Sequence, residues 1–241
     1  MNFVLELDTT LPQDELLDRL RKHEPWGHLI NFSNGVSTGQ LARRTPFSEN
    51  PLQKLLTVAE RIPFEQLRGG SLLDIGCNSG YNSIHAAAHF GMDVVGLDVS
   101  RRHMEVARLL SELAGVDAEF LLDNAETFSR PKTFDVVLHF GTLYHLPNLL
   151  LSLKTTFDNL KPGGYLALET QTYDHPGEPN LCYCMQGQNN DKTNFWAISE
   201  QVLTTFLRFI GFTEVTPMLR VRPPQLSEHM NRVVLVARKP E

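Results

Sequence analysis

The chain has 241 residues, of which 41% are hydrophobic and 21% charged, and its formal net charge is −6. This length suits one domain with additional segments, and the net charge disfavours general binding to a polyanion, although a local basic patch could still bind RNA. No apolar run reaches the roughly 18 residues of a membrane span, and the first residues lack a signal-peptide pattern. We therefore expect a cytoplasmic protein without a membrane segment, as a monomer or homodimer.

The first 68 residues are predicted to form a cap or lid that precedes the main domain at 69–241. Helices are expected from Gln13 to His23 and from Pro51 to Arg61, where apolar residues fall on one face. Between them, Asn34-Gly35 is a strong hairpin-turn signal for strands at 29–33 and 36–39.

Three aromatic residues of this segment, Trp26, His28 and Phe32, are close together on a predicted loop. Binding residues are concentrated on loops, so we expect Trp26 and Phe32 to contact a substrate. Plain packing of the segment is the alternative.

Residues 71–80 are predicted to form a buried strand, a tight turn between Gly76 and Gly80, and the start of a helix. A second apolar run follows at 92–97 and ends in Asp98. Such a unit presents free backbone N–H groups at the carboxyl edge of a sheet and places an acid where a ribose is held. The pattern indicates a nucleotide-type cofactor, with a ligand-free strand–turn–helix as the alternative.

Two kinds of cofactor fit this layout to different degrees. A dinucleotide fingerprint needs three glycines. Here Asn78 stands in place of the middle glycine, and the third glycine is missing because Tyr81 and Asn82 occupy that part of the turn. S-adenosylmethionine has no phosphate and carries a positive charge, which the neighbouring Asp74 suits. The turn therefore favours S-adenosylmethionine.

The α/β alternation continues along the chain. Ser100 caps a predicted helix at 101–113, and a third strand at 118–122 leads into Asp123-Asn124-Ala125. This position resembles the one at which methyltransferases contact the adenine edge, and a plain turn is the alternative. A fourth strand at 134–140 carries Tyr144 and His145 just beyond its end, beside the predicted methyl group.

The last third of the chain is predicted to close the sheet. A fifth strand at 165–170 precedes a polar substrate loop at 172–196, in which Tyr173 and Trp196 are candidate substrate contacts. A helix at 200–210 and an antiparallel strand pair at 212–218 and 233–237 follow. The whole predicts an α/β fold: a Rossmann-like, doubly wound, seven-stranded sheet with an N-terminal helical and hairpin cap.

Four segments carry a resemblance to a known family: LLDIGCNSGY (72–81), HFGTLYHLPN (139–148), GGYLALET (163–170) and NFWAISEQVLTTFLRFIGF (194–212). Over residues 25–218 the chain resembles the tRNA wobble-uridine carboxymethyltransferase family and its small-molecule relatives, which are class I S-adenosylmethionine-dependent methyltransferases. Together the motifs and the resemblance predict a cofactor site made of Asp74, Gly76, Cys77, Asn78, Gly80, Asp98, Val99, Asp123, Asn124, Ala125, Phe140, Gly141 and Tyr144.

The tRNA enzyme of that family uses a carboxylated cofactor, and its pattern has a lysine shortly after a Pro-Trp pair. Here Pro25-Trp26 is followed by Gly27-His28, whereas Tyr144 matches the family's cofactor-contacting tyrosine and Arg232 loosely matches its late arginine. The sequence therefore predicts ordinary S-adenosylmethionine and methylation of a small-molecule acceptor at nitrogen or oxygen, with specialised metabolism as the expected setting. Modification of a tRNA wobble uridine is the alternative acceptor chemistry, and a non-catalytic binding domain is a third hypothesis.

Methyl transfer needs mainly alignment, and a base is required only where the acceptor carries a proton. The candidate catalytic residues are His145, Tyr144 and His28, and a structural role is the alternative for His145. Cys77, Cys182 and Cys184 are too few for a disulfide framework and lack zinc-site spacing, so free thiols and no metal are predicted.

Overall fold

The computed structural model describes residues 4–41, 52–174, 177, 179–184, 191–222 and 229–241. The helices in these residues are α1 (Gln13–Arg21), α2 (Gln53–Val58), α3 (Tyr81–His85), α4 (Arg101–Ala114), α5 (Leu149–Asn159) and α6 (Glu200–Ile210). The strands are β1 (Leu5–Leu7), β2 (Ile30–Phe32), β3 (Ser71–Ile75), β4 (Asp93–Asp98), β5 (Ala118–Leu122), β6 (Phe134–Phe140), β7 (Leu160–Tyr173), β8 (Leu181–Tyr183), β9 (Trp196–Ile198), β10 (Thr213–Val221) and β11 (Met230–Arg238).

The main sheet has the predicted doubly wound order, β10-β11-β7-β6-β3-β4-β5. Strands β3 to β7 pair in parallel, and β11 runs antiparallel to both β7 and β10. All seven predicted strands are present. The described residues add two short ones, because β8 and β9 form in what the sequence predicted to be loop and pair beside β7.

The strand order reverses at β3, which has β4 on one side and β6 on the other. Neighbouring crossovers leave in opposite directions at such a point, so a crevice opens beyond the carboxyl ends of the strands. The glycine turn after β3 and the segment after β6 both lie at this crevice.

The sheet buries a core on each face, and successive side chains along a strand point alternately into the two cores. Leu72 of β3 packs with the N-terminal segment, α3 and α4, whereas its neighbour Leu73 packs with α5 and α6. From the N-terminal segment, Leu16 and Leu55 are fully buried in the first core. The segment is therefore packed tightly against the sheet; the boundary at residue 68 stays a prediction.

The predicted N-terminal hairpin forms with less pairing than expected, and its turn is closed by a hydrogen bond of 2.9 Å from the Phe32 N–H to the Val36 carbonyl. β2 pairs in parallel with β1, and on its other side the described residues show only one antiparallel bridge, Asn31 to Ser37, before a 3-10 turn at Thr38–Leu41. The Thr38 hydroxyl bonds both the Ile30 N–H and the His28 carbonyl, which ends the extended backbone.

The two predicted helices of the N-terminal segment are shorter than expected, and α1 ends at Arg21 rather than at His23. α2 covers Gln53–Val58, and the predicted start at Pro51 lies outside the described residues. α3 passes into a π turn at Ala86–Phe90. No helix in the described ranges combines the length and apolar character that a membrane span requires.

Candidate active site

The glycine turn after β3 makes a close approach that only glycine permits. Gly76 has φ +67°, and a Cβ at this position would overlap the Thr142 side chain beyond β6. Asn78 has φ 52°, a left-handed conformation that asparagine tolerates better than most residues, and its Oδ1 accepts from the Ser79 N–H at 2.7 Å. Asparagine can thus take the left-handed position that the turn requires at residue 78.

Asp98 ends β4 as an ionised hydrogen-bond acceptor. Its Oδ2 accepts from the Asn78 N–H at 3.1 Å, and its Oδ1 accepts from the Ser100 N–H at 2.9 Å and lies 3.2 Å from His103 Nδ1. Burial alone would raise the pKa of Asp98, but these hydrogen bonds hold the pKa below its ordinary value. The carboxylate remains in the crevice, at the position where a ribose diol is held.

A cavity of about 420 Å³ occupies the crevice. This volume falls in the range of roughly 300–1,000 Å³ that is usual for small-molecule sites. The predicted cofactor residues on its wall are Gly76, Asn78, Asp98, Val99, Asp123, Ala125 and Gly141.

The other predicted cofactor residues lie outside that wall: Asp74, Cys77, Gly80, Asn124, Phe140 and Tyr144. Asp74 is only 2% exposed, and its Oδ2 accepts from the Ser83 hydroxyl at 2.6 Å, which ties β3 to α3. Burial raises the pKa of Asp74 to about 6, although the hydrogen bond from Ser83 acts to lower this pKa. Burial also raises the pKa of the Cys77 thiol, so that group stays protonated.

A buried ion cluster lies beside Gly141. The carboxylate of Glu169, 1% exposed, accepts from Lys54 Nζ at 2.7 Å and is bonded by Arg232 through both Nε and Nη2. Burial would raise the pKa of Glu169, but the two cations lower it to about 2. The three groups carry a net charge of +1 (two cations and one anion).

Tyr144 belongs to the same cluster. Arg232 Nη2 donates to its hydroxyl oxygen at 3.0 Å, and the guanidinium carbon lies 5.2 Å from the ring centroid. Burial raises the pKa of Tyr144 despite the nearby arginine. The phenol is therefore protonated and is a hydrogen-bond donor rather than a base.

His145 lies on the cavity wall, in the 3-10 turn Leu143–His145 that follows β6. Its Nδ1 lies 2.9 Å from the Thr193 hydroxyl oxygen and 3.2 Å from the Thr193 carbonyl oxygen. The end of the predicted substrate loop is fixed onto this turn, since the Phe195 N–H donates to the Tyr144 carbonyl and the Trp196 indole donates to the Leu146 carbonyl.

His28 and Trp26 line a second cavity of about 220 Å³, which shares Asn78 and His103 with the first. His28 Nδ1 lies 3.3 Å from the Ser79 hydroxyl. Burial, followed by the electrostatic effects of Lys54 and His103, lowers the pKa of His28 to about 4, so the ring is neutral near pH 7.

The four predicted aromatic substrate contacts do not lie together in the structure, and only Trp26 lines one of the two cavities. Trp26 is 3% exposed and donates to the Leu20 carbonyl at 3.1 Å, and Phe32 is 4% exposed in β2. The structure does not bring Phe32 to either cavity, because its side chain packs into the core from β2. Tyr173 packs edge-on against His229, and neither Tyr173 nor Trp196 lies on the two cavity walls.

Sequence reasoning missed Lys54 and Thr193. A lysine in a short amphipathic helix carries no local sign of a buried partner, and Thr193 stands in a polar stretch that resembles any loop. Only the Asp98 and glycine-turn pattern had a recognisable local signal.

The strand order, the turn at Gly76 and the ionised Asp98 define the site of a class I methyltransferase. Residues 47–216 match the family described as "Methyltransferase domain", and the chain belongs to that family. The cofactor of the class is S-adenosylmethionine, and the Gly76 cradle and the Asp98 acceptor fit it. In the described part of the chain, no three His, Cys, Asp or Glu residues gather as a metal site would require.

Several known proteins are similar to this chain. A tRNA U34 carboxymethyltransferase of Desulfotalea psychrophila is 34% identical over 210 residues, which cover 84% of this chain and 61% of that enzyme. A ubiquinone biosynthesis O-methyltransferase of Cereibacter sphaeroides is 38% identical over 110 residues, 45% of this chain and 43% of the relative. The match thus spans less than two thirds of either relative.

Among solved structures, the N-terminal domain of EvdMO1 in the presence of S-adenosylhomocysteine (SAH) and D-fucose has a TM-score of 0.71 at 19% identity. The alignment covers 95% of this chain and 97% of that domain. This likeness supports the fold described above.

Proposed function

We propose that the protein transfers a methyl group from S-adenosylmethionine to a nitrogen or oxygen of a small-molecule acceptor, as an enzyme of specialised metabolism. One observation carries the proposal: the ionised Asp98 and the His145 imidazole are on the wall of the same 420 Å³ cavity. A ribose-holding group and a candidate base therefore line the same cavity. The similarity to a ubiquinone biosynthesis O-methyltransferase, and to a domain crystallised with D-fucose, supports a small acceptor.

The chain's own residues have distinct roles in this proposal. Asp98 and the turn at Gly76 hold the cofactor, which supplies a methyl group on a sulfonium. Tyr144 donates a hydrogen bond, and His145, or the neutral His28, accepts a proton where the acceptor carries one. Alignment of acceptor and methyl group supplies most of the rate.

The test uses methyl-labelled S-adenosylmethionine and two acceptor pools, a low-mass metabolite extract and total tRNA. We expect label in the low-mass fraction, from which mass spectrometry identifies the product. Label in tRNA alone contradicts a small-molecule acceptor. The Asp98→Ala variant serves as the control, since label that persists in it does not come from this site.

A carboxymethyl transfer to a tRNA wobble uridine is a second candidate, and the cluster around Glu169 favours it. The lysine absent after Pro25-Trp26 has a substitute in Lys54, which reaches Glu169 beside Arg232 and Tyr144. The net positive charge of this cluster suits a carboxylate on the cofactor. The match to the Desulfotalea enzyme supports the same candidate.

Mass spectrometry of the cofactor that co-purifies with the protein separates the two candidates. Unmodified S-adenosylmethionine supports the first, and the carboxylated form supports the second. In the second case Lys54→Met should weaken binding of the carboxylated cofactor about 10-fold or more, as expected for one charge-assisted bond, and leave ordinary S-adenosylmethionine within about 2-fold.

A further inference from the structure

A hydrogen-bonded chain runs from Asp191 through Thr193 to His145. The Thr193 hydroxyl donates to Asp191 Oδ1 at 2.6 Å, and the Thr193 N–H donates to the same oxygen at 2.8 Å. We propose that Thr193 and Asp191 are positioning residues that fix His145 as the Nδ1–H tautomer and leave Nε2 as the free base. The inference rests on the proposed function, in which His145 takes a proton from the acceptor.

The tautomer follows from what each Thr193 oxygen can do. The carbonyl oxygen, 3.2 Å from His145 Nδ1, can only accept a hydrogen bond. The hydroxyl oxygen, 2.9 Å away, has its proton committed to Asp191 and so presents a lone pair. Two acceptors facing one ring nitrogen require that this nitrogen carry the hydrogen.

Asp191 keeps the hydroxyl in that orientation. Hydrogen bonds from the Thr193 side chain and then its backbone N–H lower the pKa of Asp191. The carboxylate is therefore ionised and acts only as an acceptor, so the proton of the Thr193 hydroxyl points toward Asp191.

The loop segment that carries Thr193 is held against the turn that carries His145. The Phe195 N–H donates to the Tyr144 carbonyl at 2.9 Å, and the Tyr144 ring centroid lies 4.3 Å from that of His145. Within the described residues, His145 Nε2 makes no hydrogen bond, and the ring lies on the cavity wall. Nε2 is the nitrogen left to meet an acceptor.

This arrangement narrows the acceptor to one whose reacting atom carries a proton, a hydroxyl or an N–H group. The acceptor's O–H or N–H bond breaks and its proton passes to Nε2. The acceptor lone pair then bonds the methyl carbon, and the carbon–sulfur electron pair stays on sulfur as a neutral thioether. A tertiary amine or a thioether acceptor would leave the free Nε2 without a role.

The tautomer can be measured without any acceptor, on the full chain labelled with 15N-histidine. Long-range proton–nitrogen spectra at alkaline pH show which ring nitrogen carries the hydrogen, and His145→Gln identifies the His145 signals among the nine histidines. We expect Nδ1–H in the wild type and in Thr193→Ser, which keeps the hydroxyl. An Nε2–H tautomer in the wild type overturns the inference.

Two further variants test the positioning residues separately. Asp191→Ala frees the Thr193 hydroxyl to donate to Nδ1 as well as accept, so the share of the Nε2–H form should rise, whereas Asp191→Asn keeps an acceptor and should keep Nδ1–H. Thr193→Val removes one of the two acceptors that face Nδ1, so the share of Nε2–H should rise there too, while the remaining carbonyl still favours Nδ1–H. An unchanged tautomer in both Asp191→Ala and Thr193→Val overturns the inference and leaves methyl transfer untouched. Failure of the wild type to bind S-adenosylmethionine overturns the proposed function instead.

Discussion

Lys54 donates to the carboxylate of Glu169 at 2.7 Å, although 115 residues separate them in the chain. Lys54 belongs to α2, in the N-terminal segment, and Glu169 lies in β7 at the edge of the crevice. The N-terminal segment therefore contributes a charged group to the ion cluster beside Gly141, as well as apolar residues to the core.

Glu169→Gln should strongly destabilise the fold. The carboxylate is 1% exposed, and its removal leaves the partly buried Arg232 and Lys54 without their counter-charge. Breaking a buried pair in this way costs about 3–5 kcal/mol, measured as the free energy of unfolding in urea.

Glu214→Gln is the matched control for that variant. The Arg61–Glu214 pair has a similar length of 3.0 Å but side chains that are 48% and 49% exposed. Its loss should cost less than about 1 kcal/mol. Equal losses in the two variants would show that the Glu169 cluster is not an electrostatic anchor.

Asp98→Ala should weaken S-adenosylmethionine binding by about 10-fold to 100-fold, the loss expected for a hydrogen bond to a charged acceptor. Titration calorimetry measures it directly. Asp93→Ala removes an exposed carboxylate at the opposite end of β4 and should leave affinity unchanged. Unchanged affinity in Asp98→Ala would rule out the ribose-holding role.

Gly76→Ala should destabilise the protein more than Gly115→Ala, though both glycines have a left-handed backbone, with φ +67° and +63°. At Gly115 an added Cβ meets nothing within 4 Å, so only the backbone cost of roughly 1–2 kcal/mol applies. At Gly76 the Cβ also overlaps the Thr142 side chain.

Thermal and urea unfolding of the two alanine variants measure this difference, and Thr142→Ala added to Gly76→Ala should recover part of the loss. A Gly76→Ala variant as stable as Gly115→Ala would mean that the turn does not approach Thr142 so closely.

Acidification should unfold the protein through its buried histidines. Burial lowers the pKa of His139 from 6.5 to about 4, as it does for His28 and His85. Between these pH values the unfolded chain binds protons that the folded chain does not, so the free energy of unfolding decreases as the pH is lowered. Each such proton contributes a slope of about 1.4 kcal/mol per pH unit.

His139→Gln should therefore flatten the dependence between pH 6.5 and 4 in a series of urea titrations. Asp74 acts in the opposite sense, since burial raises its pKa from 3.8 to about 6 and the folded state gains that proton first. Asp74→Asn should make the acid loss steeper. A slope that neither variant changes would show that these groups do not control acid stability.

The sequence by itself determined the elements whose signals are local. Apolar runs alternating with amphipathic stretches predict parallel strands and covering helices, and the glycine turn with Asp98 predicts the cofactor crevice, because such geometry depends on residues adjacent in the chain. The closing strand pair at β10 and β11 followed from the same local patterns.

Only the tertiary structure decided how distant segments meet. Phe32 lies in a core strand rather than on a substrate loop, β8 and β9 extend the sheet from a polar stretch, Lys54 reaches Glu169, and Thr193 meets His145. Each of these depends on packing between segments far apart in the chain, where burial and charge pairing outweigh local preference. No periodicity or motif in the chain records which partner such a residue will find.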